Sequence, residues 1–386
     1  LEEAELSLKK VIKIEPNLAN AHYNLGTLFI ENGKSEEAEI SLRKAIQLNP
    51  NFAEAYSNLG ALLKDIGKTK EAELILLKAI ELNPNFAEAY SNLGSLLKQN
   101  GKLEEARKAY KNALKLLPNS LEYKIHSELM LSSIPHSQTQ IDTERNHIKE
   151  QIEIISKNEN LYFTNKILSL DIFYLAYHNR DDDKEILQNF SKCLSSIKGI
   201  KNNSFNKSKS IEESNKRNKI RIGIISDFLN NHSVSMYFGN IIKDFASSGL
   251  EIIIFRGPTA KEDKRSKSID SISFDAIRLP RNIQNACEII LSNSVDILFY
   301  LDNVMSGYTY LLSLSRLALV QIASLGHLNT TGSAEIDYFI SCNDYETKDS
   351  AKYYSERLIK LSRIPVNYTI PKLHKSKFSL SDLNLP

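Results

Sequence analysis

A chain of 386 residues, 42% hydrophobic and 25% charged, has the make-up of an ordinary globular protein with room for two or three domains. Its 49 basic and 47 acidic side chains leave a net charge of +2, so no global field points to nucleic acid or to a membrane surface, and no apolar run is long enough to span a bilayer. Cys193, Cys287 and Cys342 are odd in number, far apart and without C-x-x-C spacing, which argues for a reducing, cytoplasmic setting and against structural zinc or a disulfide framework.

From residue 19 to residue 120 one unit occurs three times: AHYNLGTLFIENGKSEEAEISLRKAIQLNP, AYSNLGALLKDIGKTKEAELILLKAIELNP and AYSNLGSLLKQNGKLEEARKAYKNALKLLP. Leu25, Leu59 and Leu93 recur at intervals of 34 residues, as do Gly26, Gly60 and Gly94, then Ala38, Ala72 and Ala106, then Pro50, Pro84 and Pro118. This is the tetratricopeptide signature of two helices per unit. The small residues let the helices approach, a Gly-Lys turn joins them, and each proline closes the second helix. Stacked units predict an α-solenoid whose concave surface suits peptides. Residues 1–16 match only the second half of a unit, with Ala4 and Pro16 in the equivalent places, and no initiator Met precedes them; the expectation is a truncated chain.

Asn24, Asn58 and Asn92 share one position in the repeat. Asn is a mediocre helix former, so its amide, a paired donor and acceptor, has a task. The residues leave two open: a ladder that binds the backbone of an extended peptide, or bonds between neighbouring helices.

From residue 120 to about 196 the period is lost while apolar spacing stays helical, which predicts a connector packing the repeats onto the next domain. Asp181, Asp182 and Asp183 form a D-x-D pattern that could hold a metal, but they stand before KEILQNFSKC, where acidic residues cap a helix; capping is the better reading. KNNSFNKSKSIEESNKRN, residues 201–218, reads as a mobile linker or a surface insertion.

At KIRIGIISDFLNNHSVSMYF, residues 219–238, an apolar run, Ile220 to Ile225, stops in a polar loop carrying Asp227, Asn230, Asn231 and His232. Gly223 has no companion glycines, so the dinucleotide fingerprint is absent. Further strands are expected at 251–255, 275–279, 295–301, 319–324 and 336–341, with a clear helix at 282–293. This alternation implies a doubly wound, Rossmann-like parallel sheet, whose ligand crevice lies at the carboxyl ends of the strands. The loops DNVMSGYT, 302–309, and GHLNTTG, 326–332, are polar.

Taken in order, the repeats, the connector, RIGIISDFLNNHSV, VDILFYL, GYT, LVQIASLGHLNTTG, IDYFIS and YYSERLIKL resemble the O-linked N-acetylglucosamine (O-GlcNAc) transferase family, its bacterial and plant relatives included. The resemblance spans nearly the whole chain. It implies tetratricopeptide repeats over 1–120, a connector and polar linker over 121–218, and over 219–386 the first Rossmann-like lobe of a GT-B glycosyltransferase. The implied reaction is inverting, metal-independent transfer of N-acetylglucosamine from UDP-N-acetylglucosamine, or of another sugar from a related UDP- or GDP-sugar, to Ser or Thr of proteins. The sugar nucleotide is then a substrate and no cofactor is expected; the partners are acceptor proteins or peptides in the repeat groove.

Residue by residue, the resemblance assigns His232 to the cleft as proton acceptor or positioning group, both plausible for imidazole. It assigns Gly326, Thr330, Thr331 and Gly332 to the loop that shapes the sugar side, and Asn24, Asn58 and Asn92 to the peptide ladder. The chain departs from the family in an extra residue between Asp227 and His232, in His327, Leu328 and Asn329 where Tyr, Pro and Gly are usual, and in the stretched DNVMSGYT. SLSDLNLP, 379–386, resembles the lead into the family's second lobe, which supplies most nucleotide contacts; the chain alone is therefore expected to be inactive. The alternative is a repeat-based protein-binding scaffold with a non-catalytic Rossmann-like module.

Overall fold

The structure, a computed structural model, describes residues 2–164, 168, 170–325 and 329–367. The repeat helices are α1 (Glu2–Ile14), α2 (Ala19–Glu31), α3 (Ser35–Leu48), α4 (Ala53–Asp65), α5 (Thr69–Leu82), α6 (Ala87–Gln99) and α7 (Leu103–Leu116). None of α2 to α7 has a side-chain N-cap bond, so packing holds them. The fully buried Ala38, Ala72 and Ala106 meet Leu25, Leu59 and Leu93 in one core, and Tyr110 takes the place that Leu42 and Leu76 hold in the earlier units.

The connector comprises α8 (Leu121–Glu128), α9 (Gln138–Ser156), a 3-10 turn at Asp171–His178, α10 (Asp183–Ser196) and α11 (Lys207–Asn215). It differs from expectation in two places. Asp182 makes no capping bond at the start of α10; instead Asp182 and Asp183 both pair with the buried Arg145 of α9, and Lys149 Nζ lies 2.5 Å from Asp182. A buried guanidinium demands paired charge more strongly than a helix end does. Of the two readings of 201–218, the structure fits the surface insertion and not the mobile linker. Its helix α11 buries no side chain, but the Asn202 N–H donates to Ser315 Oγ at 2.8 Å and Arg217 pairs with Asp296 at 2.6 Å. Its polar composition reports a solvated surface strap.

The sheet strands are β1 (Arg221–Ile225), β2 (Glu251–Arg256), β3 (Asp275–Arg278), β4 (Ile297–Tyr300), β5 (Val320–Ser324), β6 (Tyr338–Cys342) and β7 (Arg357–Leu361). All pair in parallel in the order β3-β2-β1-β4-β5-β6-β7. β7 is an edge strand that the sequence pattern did not announce: RLIKL is largely exposed and lacks an apolar run. All strands run the same way, but the order in which they are added reverses between β1 and β4, which makes that gap the topological switch point.

The two faces carry separate covers. Ile222, Ile224, Ile252 and Ile254 pack under α12 (Ser233–Ser247) and α13 (Lys264–Asp270). Ile225, Ile253, Phe255, Leu298 and Tyr300 face α14 (Ile283–Ser292), α15 (Gly307–Leu312) and the connector, whose Ile148, Ile152, Phe190 and Leu194 belong to the same continuous core. Phe190 stacks on Tyr310 with ring centroids 5.9 Å apart. Gly332 seals this junction: a Cβ there would lie 2.3 Å from the carbonyl carbon of Leu187 in α10. Among the described residues no helix is long and apolar enough to cross a membrane.

Candidate functional site

The register pairs Ile225 of β1 with Tyr300 of β4, so the loops 226–232 and 301–306 leave the sheet side by side at the switch point. Two carboxylates meet there. Asp302, fully buried, accepts the Asp227 N–H at 2.8 Å and the Ser226 hydroxyl at 3.1 Å on Oδ2. Asp227 accepts the Ser306 hydroxyl, and its Oδ1 lies where a Cβ on Gly257 would come within 1.9 Å. Only a residue without a side chain fits at the end of β2.

Burial, then the charge of Asp227, pushes the Asp302 carboxyl up to about 8. Burial also raises Asp227, against the Ser306 hydroxyl, the Gly257 N–H and Arg278. The pair therefore holds a proton at neutral pH, as two close carboxylates in a low-dielectric setting must. Beside it Asn303 is 5% exposed, and neither end of its amide has a partner among the described residues. A buried unpaired amide costs about 1–3 kcal/mol, a cost more typical of a site than of a core.

His232 is the N-cap of α12, and its Nδ1 accepts the Val234 N–H at 3.2 Å while its ring stacks on Phe228 at 4.6 Å. An acceptor Nδ1 fixes the neutral tautomer with its proton on Nε2. Partial burial lowers its pKa and keeps it neutral. The ring so held is a hydrogen-bond donor at Nε2. Proton acceptance there would require the other tautomer, whose Nδ1–H would face the Val234 N–H.

The other expected site residues divide. Gly326 lies outside the described residues, as do His327 and Leu328. Thr330 and Thr331 are buried and turned toward Glu356: Thr330 Oγ1 donates to it at 2.6 Å, and the Thr331 N–H donates at 2.7 Å, with the Thr331 hydroxyl bonding the same oxygen. They fasten their loop to the segment entering β7 and do not join His232. In the repeats, Asn58 Nδ2 donates to Tyr23 and Thr27, each at 3.2 Å, and Asn92 Nδ2 donates to Ser57 at 3.0 Å. Asn24 is exposed and makes no side-chain hydrogen bond with a described residue. Among the described residues no group of three or more His, Cys, Asp or Glu side chains could hold a metal. Sequence reasoning singled out His232 and noted Asp227, but missed Asp302, Gly257 and Glu356. The signal for Asp302 is its place directly after an apolar run; its partner becomes visible only once β1 and β4 are neighbours.

Helical repeats joined through a connector to a parallel sheet, with a polar crevice at the switch point, define a repeat-bearing α/β protein with a doubly wound sheet. Residues 172–376, just over half of the chain, match the model of Glycosyl transferase family 41. Residues 7–40, 53–86 and 75–108 match tetratricopeptide repeat models, and 26–67 a further TPR repeat model. The chain belongs to glycosyl transferase family 41 and joins its glycosyltransferase region to tetratricopeptide repeats. A solved mutant of the Thermobaculum terrenum O-GlcNAc transferase superposes with a TM-score of 0.61 at 19% identity, covering 90% of this chain and 58% of its own. It shares the fold, and this chain spans less than two thirds of its length. MamA from Desulfovibrio magneticus RS-1 matches 40% of this chain and 84% of its own at 27% identity, with a TM-score of 0.35. No curated protein sequence matches the chain.

Proposed function

We propose that this chain carries the repeats and the first lobe of a protein O-glycosyltransferase that moves N-acetylglucosamine from UDP-N-acetylglucosamine to Ser or Thr of acceptor proteins, with inversion and without a metal. The observation that carries the reading is the family 41 match lying over a sheet whose switch point holds the Asp227–Asp302 pair and His232. Asp227, half-buried and with a raised pKa, is the group able to take the proton of an attacking hydroxyl. His232 serves as a donor through Nε2, positioning an oxygen of the sugar nucleotide or of the acceptor. The repeats hold the acceptor, with Asn24 and the carbonyl ends of Asn58 and Asn92 available to its backbone. Thr330, Thr331 and Gly332 act on the sugar side by fixing the loop's path, and Gly326 is assigned to the same side by the family resemblance alone. The three buried free thiols suit a reducing cytoplasm.

In a GT-B enzyme the diphosphate is held from the second lobe, so transfer is assigned to the two-lobed protein and the 386-residue chain alone is expected to leave UDP-sugar unchanged. The test is transfer of radiolabelled N-acetylglucosamine to a Ser/Thr peptide, in EDTA, by the two-lobed protein and by this chain. Label on the peptide with the β configuration supports the reading. No transfer by the two-lobed protein, with acceptor proteins still bound to the repeats, replaces it by the scaffold.

A further inference from the structure

The first helices of successive repeats touch one another, α2 with α4 and α4 with α6, and so line the concave side; α1, α3 and α5 lie outside them. On this outer side an apolar residue recurs where a solvated face calls for a polar one. Leu6 of α1, Ile40 of α3 and Leu74 of α5 stand 34 residues apart and are 56%, 70% and 70% exposed. One exposed aliphatic side chain is ordinary, but three in register make a ridge across three helices. The ridge ends at α7, where Lys108 takes the same place.

Charges flank it in rows. Three residues before each apolar residue stand Glu3, Glu37 and Glu71, and four residues after it stand Lys10, Lys44 and Lys78. Each helix therefore presents acid, apolar group and base in that order along one face. The solenoid's own ion pairs draw on a different set: Glu5 with Lys34, Glu39 with Lys68 and Glu73 with Lys102, at 2.8, 2.9 and 3.3 Å, tie each unit to the next. The side chains of Glu3, Glu37 and Lys10 make no hydrogen bond or ion pair with a described residue. Lys44 meets only Gln47, while Glu71 and Lys78 pair with Arg43 and Glu81 in contacts open to water, which are weak and readily exchanged.

We propose that this ridge is a self-association surface, joining two copies of the chain about a two-fold axis that runs along the ridge. That axis lays α1, α3 and α5 antiparallel to their own counterparts, with apolar row on apolar row and the acidic row of each copy facing the basic row of the other. A two-fold axis at right angles, along the helices, would set acid on acid and base on base, so the charges select the first arrangement. The contact is isologous and closes at two copies. Both concave grooves face away from it, which gives one acceptor chain two grooves to engage. The footprint is small beside the roughly 1,200–2,000 Å² of stable interfaces, so the dimer is expected to dissociate in the micromolar range.

Sedimentation equilibrium of the 386-residue chain, from submicromolar to submillimolar concentration, tests it. The parent should pass from monomer to dimer, and Ile40→Glu should weaken the dimer at least about tenfold. Glu37→Lys should weaken it by about fivefold, and adding Lys44→Glu to that variant should restore affinity to within about twofold, because the rows are then exchanged in both copies. Ile40 lies on the axis, and the three native thiols are buried, so Ile40→Cys should give a disulfide-linked dimer on mild oxidation while Ile134→Cys, 79% exposed on the connector, should not. All these positions face solvent, and circular dichroism should show the variants folded. A monomer over the whole range, a dimer unchanged in Ile40→Glu, no rescue by the double variant, or growth beyond two copies overturns the inference. The readout is mass, so the outcome is independent of glycosyl transfer and of the proposed function.

Discussion

The carboxylate of Asp302 accepts the backbone N–H of Asp227 at 2.8 Å, so one acidic side chain fixes the main chain that carries the other. The bond ties the β1 loop to the β4 loop across the switch point, and it makes the geometry of the crevice depend on the protonation of a buried group.

The first prediction concerns that protonation. Asp302 titrates near 8 in the folded chain, against an unfolded value of about 3.9. The folded state binds the proton more tightly, so the stability from this site is fully present below pH 4 and is lost as pH rises toward 8. Asp302→Asn, which keeps an acceptor for the Asp227 N–H, should flatten this dependence. Urea unfolding at pH 4.5, 6 and 8 should show the variant gaining on the parent as pH rises; a constant difference contradicts the raised value.

His232 can be separated from its role as a cap. Asn is among the best N-cap residues, so His232→Asn should leave α12 and the melting temperature nearly unchanged while removing the Nε2–H. If the proposed function holds, transfer by a protein carrying both lobes should fall by about two to three orders of magnitude, the effect of losing a positioned donor. If His232 were the base, the pH–rate profile would lose its acidic limb in the variant. We expect that limb to remain and to move only when Asp227 is replaced.

Two glycines offer a paired steric test. Gly257→Ala places a methyl group on Asp227 Oδ1 and should cost about 1–3 kcal/mol. Gly239→Ala, inside α12 with only Arg265 at 3.7 Å, should stabilise by about 0.5–1 kcal/mol. Thermal melts of the two variants should move in opposite directions.

The repeat asparagines should not behave alike. Asn58→Ala and Asn92→Ala each remove bonds to the preceding repeat and should cost about 1 kcal/mol in stability. Asn24→Ala should cost nothing in stability. A peptide that uses the ladder should nevertheless bind more weakly to Asn24→Ala, which isothermal titration would read; unchanged affinity in that variant confines these amides to holding repeats together.

Much of the architecture is readable from the chain because its signals are local. Leu25, Leu59 and Leu93 repeat at a fixed interval, and Ile222 to Ile225 form an apolar run closed by a polar loop. The edge strand β7 is hidden since exposure on most of its residues leaves no alternation to detect. The site is legible only in part: the first carboxylate loop is visible, but its coupling to Asp302 is a product of strand order. The engagement of Thr330 and Thr331 is not legible either: hydroxyls in a polar loop look available, whereas Glu356, about 25 residues away, already binds them. The carboxylates of Asp182 and Asp183 mislead in the same way, their partner Arg145 lying on another helix.

The shared core of connector and sheet sets an order of events during synthesis. Residues 121–200 leave the ribosome before any strand exists for them to cover. At roughly 5–20 residues per second, the apolar side of α9 and α10 waits on the order of ten seconds for β4 to β6. The repeats upstream, whose contacts are between neighbouring helices, fold meanwhile. The nascent chain thus presents a finished solenoid followed by an exposed amphipathic segment, the kind of intermediate on which a trigger-type chaperone would act.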